Sequence, residues 1–217
     1  MAALQKLSSC QLDDLPNEVI LKLFGFLDIK ELLLCGQVCK RLRAISNDES
    51  LWLKLNLSGT KISYDFIKKA TENGCQYLSL TFDTLHMTEK SESPFKLKYL
   101  NMSEGLSNSS GLLKLLQNCS LLQKLSVADF PLDSDDVKHI CQNGQTLKVL
   151  NLSSVQFWTD YPTLELFKKC VELTELNLSR WYDFLDVNAI LSNLTSKILK
   201  LDLSCNGNLE DHHLKVS

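Results

Sequence analysis

Eight cysteines, four histidines and seven Asn-x-Ser/Thr tripeptides are the residues of this 217-residue chain whose types could carry chemistry. A cysteine serves as nucleophile or metal ligand only where a thiolate is favoured and other ligands converge. Cys10, Cys35, Cys39, Cys75, Cys119, Cys141, Cys170 and Cys205 form no Cys-x-x-Cys pair and no zinc-finger spacing. Cys35 and Cys39 stand four apart, as two ligands on one helical face would, but they share apolar faces with Leu32 and Leu42. Packing as small hydrophobes is their expected role. His86 and His139 are isolated, His212 and His213 lie near the end, and no cysteine sits in an electropositive setting. No carboxylate pair, Ser/His/Asp set or glycine-rich phosphate loop can be assembled. The expectation is therefore no catalytic residue, no metal, no cofactor and no bond-breaking by the chain itself.

The tripeptides begin at Asn56, Asn101, Asn108, Asn118, Asn151, Asn177 and Asn193. Taken singly they read as glycosylation acceptors. Asn56, Asn101, Asn151 and Asn177, however, fall in the same slot of a repeating frame, which makes them a product of repeat geometry. The N-terminus shows no charged-then-apolar signal segment, and no apolar run approaches the ~18 residues of a membrane span. A net charge of −3 and a pI near 5.8 leave no basic footprint for nucleic acid. These features point to a cytoplasmic or nuclear protein with reduced thiols, no membrane and no nucleic-acid partner.

The repeating frame is apolar-x-x-apolar-x-apolar. It occurs as Trp52/Leu55/Leu57, Cys75/Leu78/Leu80, Leu97/Leu100/Met102, Leu122/Leu125/Val127, Leu147/Leu150/Leu152, Leu173/Leu176/Leu178 and Ile198/Leu201/Leu203. First positions lie 23, 22, 25, 25, 26 and 25 residues apart. A period of 20–29 with this frame is that of leucine-rich repeats, each unit giving one strand to a curved parallel sheet. Return helices fit between the strands: after Ser63 or Asp65 and closed by Gly74, from about Gly111, after Asp133, from Pro162, and after Asp186. Leu85 to Phe95 reads as loop. The corner three residues past each frame holds Thr60, Asp83, Gly105, Phe130, Val155, Trp181 and Asn206. The usual amide is mostly missing, so apolar bulk is expected to plug the later corners.

Ahead of the repeats, Leu15 to Trp52 contains three helical segments: one starting at Pro16, a second from Asp28 to about Gly36, and a third over Gln37–Ile45. The last would place Lys40, Arg41 and Arg43 near its C-terminal end as a solvated face. On the first, Val19, Leu23, Phe26 and Leu27 share one helical face, with Ile20 and Phe24 on the neighbouring stripe. So short a unit cannot bury that much apolar surface within itself. Some of it must meet a partner.

Leu-Pro-x-Glu at Leu15, Phe-x-x-Leu at Phe24, Val38-Cys39-Lys40-Arg41 and Asp48-Glu49-Ser50-Leu51-Trp52 stand in the order and spacing of an F-box, and the front of the chain resembles one. It departs at Leu42, where that family usually carries Trp. The combined pattern resembles the F-box/leucine-rich-repeat family. Within it, Asp48–Trp52 and Glu175-Leu176-Asn177-Leu178-Ser179 are most similar to the branch of the S-phase kinase-associated F-box protein. The resemblance implies an α/β (α+β) solenoid: an N-terminal three-helix F-box at 15–52 after a leader at 1–14, then a curved leucine-rich-repeat array at 53–217. The array would hold about seven units, the last incomplete at Ser217, where the family branch carries more. It also implies a substrate-recognition subunit of an SCF-type ubiquitin ligase. The F-box would bind the adaptor, S-phase kinase-associated protein 1, through Leu15, Pro16, Val19, Leu23, Phe24, Leu27, Leu32 and Val38. Cullin and a RING subunit would attach through the adaptor, and the repeats would hold a protein substrate for proteasomal degradation. A decoy that binds the adaptor without substrate, or a non-ligase interaction scaffold, are the alternatives.

Strand side chains alternate, so Lys54/Asn56, Tyr77/Ser79, Tyr99/Asn101, Lys124/Ser126, Val149/Asn151, Glu175/Asn177 and Lys200/Asp202 should line the concave face. Exposed aromatic residues commonly anchor interfaces. Tyr99, Trp158 and Tyr182 are the substrate-binding candidates.

Overall fold

The computed structural model describes residues 12–58, 63–80, 94–103, 115–157, 163–181 and 187–207. After a 3-10 turn at Leu12–Asp14, its front end holds four α-helices among the described residues: α1 (Asn17–Phe24), α2 (Ile29–Val38), α3 (Lys40–Ser46) and the single turn α4 (Glu49–Trp52). Pro16 is the cap and not the first helical residue, because its ψ of 151° is extended. Asp28 and Glu31 close a reciprocal capping box at 2.9 Å each, which fixes the start of α2.

The expected third helix is corrected at its start. Cys39 is extended (φ −153°, ψ 168°), and its Sγ accepts from the Leu42 N–H at 3.4 Å. Helix α2 thus runs on to Val38, and α3 begins at Lys40. Lys40 and Arg41 fall in the first turn of α3, where the helix dipole disfavours cations. Arg41 offsets this by binding the start of α1: Nε donates to Asn17 Oδ1 at 2.8 Å, and the guanidinium also donates to the Leu15 carbonyl. Arg43 donates to the Gly36 carbonyl at 2.9 Å. Helices α2 and α3 pass so closely at Gly36 that an added Cβ would stand 2.6 Å from Ser46 Oγ.

Trp52 joins the two halves. It is buried, its Nε1 donates to the Ser46 carbonyl at 2.7 Å, and its ring centroid lies 6.1 Å from that of Phe66 in the first return helix. One apolar core runs from Ile20 through Trp52 to Ile190 without interruption.

The remaining elements are β1 (Lys54–Asn56), α5 (Tyr64–Glu72), β2 (Tyr77–Ser79), β3 (Tyr99–Asn101), β4 (Lys124–Ser126), β5 (Pro131–Leu132), α6 (Ser134–Gln142), β6 (Val149–Asn151), β7 (Gln156–Phe157), α7 (Thr163–Lys169), β8 (Glu175–Asn177), α8 (Val187–Asn193) and β9 (Lys200–Asp202). Among the described residues, seven strands form one parallel sheet in the order β1-β2-β3-β4-β6-β8-β9, and β5 pairs with β7 separately. The register aligns Leu55, Leu78, Leu100, Leu125, Leu150, Leu176 and Leu201 in one row. All but Leu201 are buried. A parallel-strand sheet with return helices is the architecture expected of a leucine-rich-repeat solenoid.

Ser63 caps α5 through the Phe66 N–H at 3.3 Å, and Asp133 with Asp136 boxes the start of α6. Gly74 closes α5 at φ +92°, and a Cβ there would lie 2.4 Å from Glu49 Cγ in α4. Only glycine satisfies both conditions. The expected helix starts at Gly111, Pro162 and Asp186, and the loop from Leu85 up to residue 93, lie outside the described residues.

The corners follow the reading of apolar plugs. Phe130, Val155 and Trp181 are buried, and Asn206 supplies an amide at the same place. One residue before each stands a left-handed, non-glycine residue: Asp129, Ser154, Arg180 and Cys205, with φ of 55°, 54°, 58° and 59°. The backbone N–H groups of Asp129, Ser154 and Arg180 donate to Ser153, Ser179 and Ser204 carbonyls at 2.9, 2.9 and 3.0 Å. Ladder bonds to the next unit compensate the unusual backbone.

Candidate functional site

The front end presents apolar side chains it does not use internally. Val19 and Leu23 stand one turn apart on α1, with Phe26 one turn further on, and all three are exposed, Phe26 by 88%. On α2, Leu34 and Val38 form a second one-turn pair, exposed by 62% and 73%. Soluble surfaces rarely concentrate large apolar residues in this way without a partner.

The eight expected adaptor-contact residues divide by burial. Pro16, Val19, Leu23 and Val38 are exposed, while Leu15 and Leu27 are half-buried and pack against the core. Phe24 and Leu32 are buried in this chain's own core, where their side chains pack the front end together. Both also line a cavity of about 530 Å³ between the front helices and β1, together with Leu27, Ile29, Leu51 and Leu55. Phe26 and Leu34, not among the eight, are exposed as well. For Leu34 the signal was its offset of two from buried Leu32, which turns it to the opposite side of α2. Leu42 is buried, so the change from the family's Trp falls on internal packing and not on the exposed stripe.

On the sheet, alternation works as expected. Tyr99 stands in a row with Lys54, Tyr77, Lys124, Val149, Glu175 and Lys200, each the register partner of the next. Tyr99 is half-buried, whereas Tyr77, not among the candidates, is exposed. The two rings are 6.3 Å apart at 39°, and Lys54 Nζ lies 5.2 Å from the Tyr77 ring centre. Trp158 and Tyr182 lie outside the described residues. Trp181 is a corner plug whose Nε1 donates to the Leu152 carbonyl at 2.5 Å.

The second row explains the tripeptides. Asn56, Asn101, Asn151 and Asn177 each accept, through Oδ1, the N–H of the residue two further on, at 3.1, 3.1, 3.0 and 2.8 Å. Asp202 does the same to Ser204 at 2.9 Å, which holds its carboxyl below the usual range. Asx turns that end the strands therefore place Asn and Ser two apart.

Four of the thiols are held in the neutral form by their surroundings. Burial pushes Cys75 up to about 11, Cys119 to about 12, Cys141 to about 11 and Cys170 to about 12. Among the described residues no group of three His, Cys, Asp or Glu side chains is placed to hold a metal, and no helix is long and apolar enough to cross a membrane.

An F-box-like family model matches residues 12–58. F-box/LRR-repeat protein 21 of Bos taurus is 25% identical over 239 aligned residues, covering 93% of this chain and 54% of that protein. F-box only protein 15 of Bos taurus is 40% identical over 47 residues, 22% of this chain and 10% of that protein. Its Homo sapiens counterpart is 26% identical over 92 residues, 41% and 17% respectively. The chain thus spans about half the length of the first relative and less of the other two. The matched segment coincides with the helical front and its exposed stripe, and the alignment to the repeat-bearing relative runs on through the parallel sheet. Residues 12–58 thus match the F-box-like family, and over most of its length the chain is similar to an F-box/LRR-repeat protein.

Proposed function

We propose that this chain is a non-catalytic substrate receptor of an SCF-type ubiquitin ligase. Residues 15–52 seat in the adaptor, S-phase kinase-associated protein 1, and residues 53–217, an array of about seven units, hold a protein client. Cullin and its RING subunit join through the adaptor, and a separate conjugating enzyme performs the transfer in cytoplasm or nucleus. The chain contributes proximity: it raises the effective concentration of client lysines near the activated thioester.

The observation that carries this reading is the apolar set Val19, Leu23, Phe26, Leu34 and Val38, exposed on helices whose own core is already filled by Ile20, Phe24, Leu32, Leu42 and Ile45. Burying one such side chain is worth roughly 1.5–3 kcal/mol. Removing two therefore weakens a complex by about 100-fold or more.

Affinity capture of the tagged chain with the proteasome blocked tests the proposal. Retention of adaptor, cullin and ubiquitinated clients supports it. Adaptor and cullin without clients reduces the chain to a decoy, and loss of the adaptor leaves only an interaction scaffold.

A further inference from the structure

Charge along the strand segments of the sheet is divided. The strand segments 53–57, 76–80, 98–102, 123–127 and 148–152 carry Lys54, Lys98, Lys124 and Lys148 and no Asp or Glu, although the chain as a whole has a net charge of −3. The acids begin only at β8 and β9, with Glu175 and Asp202, and there Lys200 is already paired to Glu175 at 3.2 Å. Among the described residues none of the four earlier lysines has a carboxylate within salt-bridge distance. Lys54, Lys124 and Lys148 are exposed and Lys98 is half-buried. Between Lys54 and Lys124 in the same register row lie the adjoining rings of Tyr77 and Tyr99. The row therefore reads cation, aromatic, aromatic, cation.

We propose that the face of β1, β2, β3, β4 and β6 is a docking site for an extended acidic peptide segment that crosses the strands, carboxylates on Lys54 and Lys124 and an apolar or aromatic residue on the Tyr77–Tyr99 pair. Strand spacing sets the register. Lys54 and Lys124 are three strands apart, roughly 14 Å. An extended peptide advances roughly 3.3 Å per residue, so acids four positions apart meet both lysines while the residues between them cross the rings. Complementary charge of this sort raises association rate and selects partners more than it adds affinity. The side chains are lysine and tyrosine with no arginine, and the Lys54–Lys124 separation fits a whole number of extended residues, which favours protein over single-stranded RNA. The inference rests on the receptor reading above and names the chemistry of the client.

Fluorescence anisotropy of the full chain tests it, using a labelled peptide that alternates paired glutamates with single tyrosines. The same peptide with lysines for glutamates and an oligouridylate of similar length serve as comparisons. The acidic peptide is expected to bind, to weaken as salt rises, and to lose about tenfold in affinity in Lys54→Glu/Lys124→Glu. Lys168→Glu, on exposed α7, should leave it unchanged. Absence of binding, equal binding by the double variant, or preference for the lysine peptide or the oligouridylate overturns the proposal. Adaptor capture is measured on the same preparations. Adaptor bound without peptide refutes this site alone, whereas loss of the adaptor refutes the receptor reading.

Discussion

Asn206 holds Trp181 in place from the neighbouring unit: its Oδ1 accepts the Trp181 backbone N–H at 2.5 Å while its Nδ2 donates to the Leu178 carbonyl at 3.0 Å and the Leu203 carbonyl at 2.9 Å. Both residues are buried. Asn206→Ala removes these three bonds from a buried corner, a cost of about 1–3 kcal/mol. Asn206→Asp keeps the acceptor but loses both donations and should be nearly as harmful. Urea unfolding midpoints of the two variants check this, and parity of either with the wild type would show that the corner tolerates loss of its amide.

The strand-ending asparagines should answer differently. Among the described residues Asn151 and Asn177 act only as acceptors, towards Ser153 and Ser179, and Asp202 performs the same task in β9. Asn177→Asp should therefore unfold at the wild-type midpoint, while Asn177→Ala loses about 0.5–1.5 kcal/mol. Thermal unfolding near neutral pH distinguishes them.

Asp136 gives stability a pH dependence of unusual sign for a carboxylate. Burial in the first turn of α6 raises it from 3.8 to about 7, against the bond from the Asp133 N–H that favours the charged form. The folded state therefore holds the proton more tightly than the unfolded state. This contribution is present below about pH 4 and declines as pH rises towards 7. Asp202 runs the other way: its lowered value adds stability that is lost as pH falls below 3.8. Asp136→Asn removes the first effect, so the variant should gain on the wild type by 1 kcal/mol or more, of order-of-magnitude size, at pH 7.5 and not at pH 4.5. Denaturant titrations at the two pH values provide the comparison.

Burial separates the apolar residues of the front end into two kinds of variant. Phe24→Ala and Leu32→Ala, inside the core, should cost about 3–5 and 2–5 kcal/mol of folding stability. Val19→Ser with Leu23→Ser, on the exposed stripe, should leave the unfolding midpoint within about 0.5 kcal/mol yet abolish adaptor capture. Retained capture by the serine variant would place the contact elsewhere.

Much of this architecture was legible because periodicity is a local signal. Leu55 through Leu201 could be lined up from spacing alone, and Asp28, Ser63 and Asp133 are capping residues whose side chains bond only a few positions away. The boundary at Cys39 was not legible, since a thiol accepting the Leu42 N–H is an uncommon cap and nothing in Gln37-Val38-Cys39 breaks a helix. Arg41 was misjudged for a related reason. Its partners Asn17 and Leu15 are 24 and 26 residues away, and only packing brings them near. Of the exposed stripe, the sequence showed that apolar surface was in excess but not which members stay outside. Helical spacing put Val19 and Phe24 on neighbouring stripes, but only tertiary burial shows which stripe turns inward. On the sheet, alternation placed Tyr77 and Tyr99 together, but the preference for Tyr99 had no basis in spacing.

Trp52 belongs to both halves of the molecule, bonded to Ser46 behind it and stacked near Phe66 ahead, while Gly74 lets the first return helix press on Glu49. There is no slack at this seam, so the chain behaves as a ruler and not as a tether. A cargo resting on the sheet would be held at a set distance and bearing from whatever grips the front helices, and which of its lysines come within range would be decided by that fixed geometry.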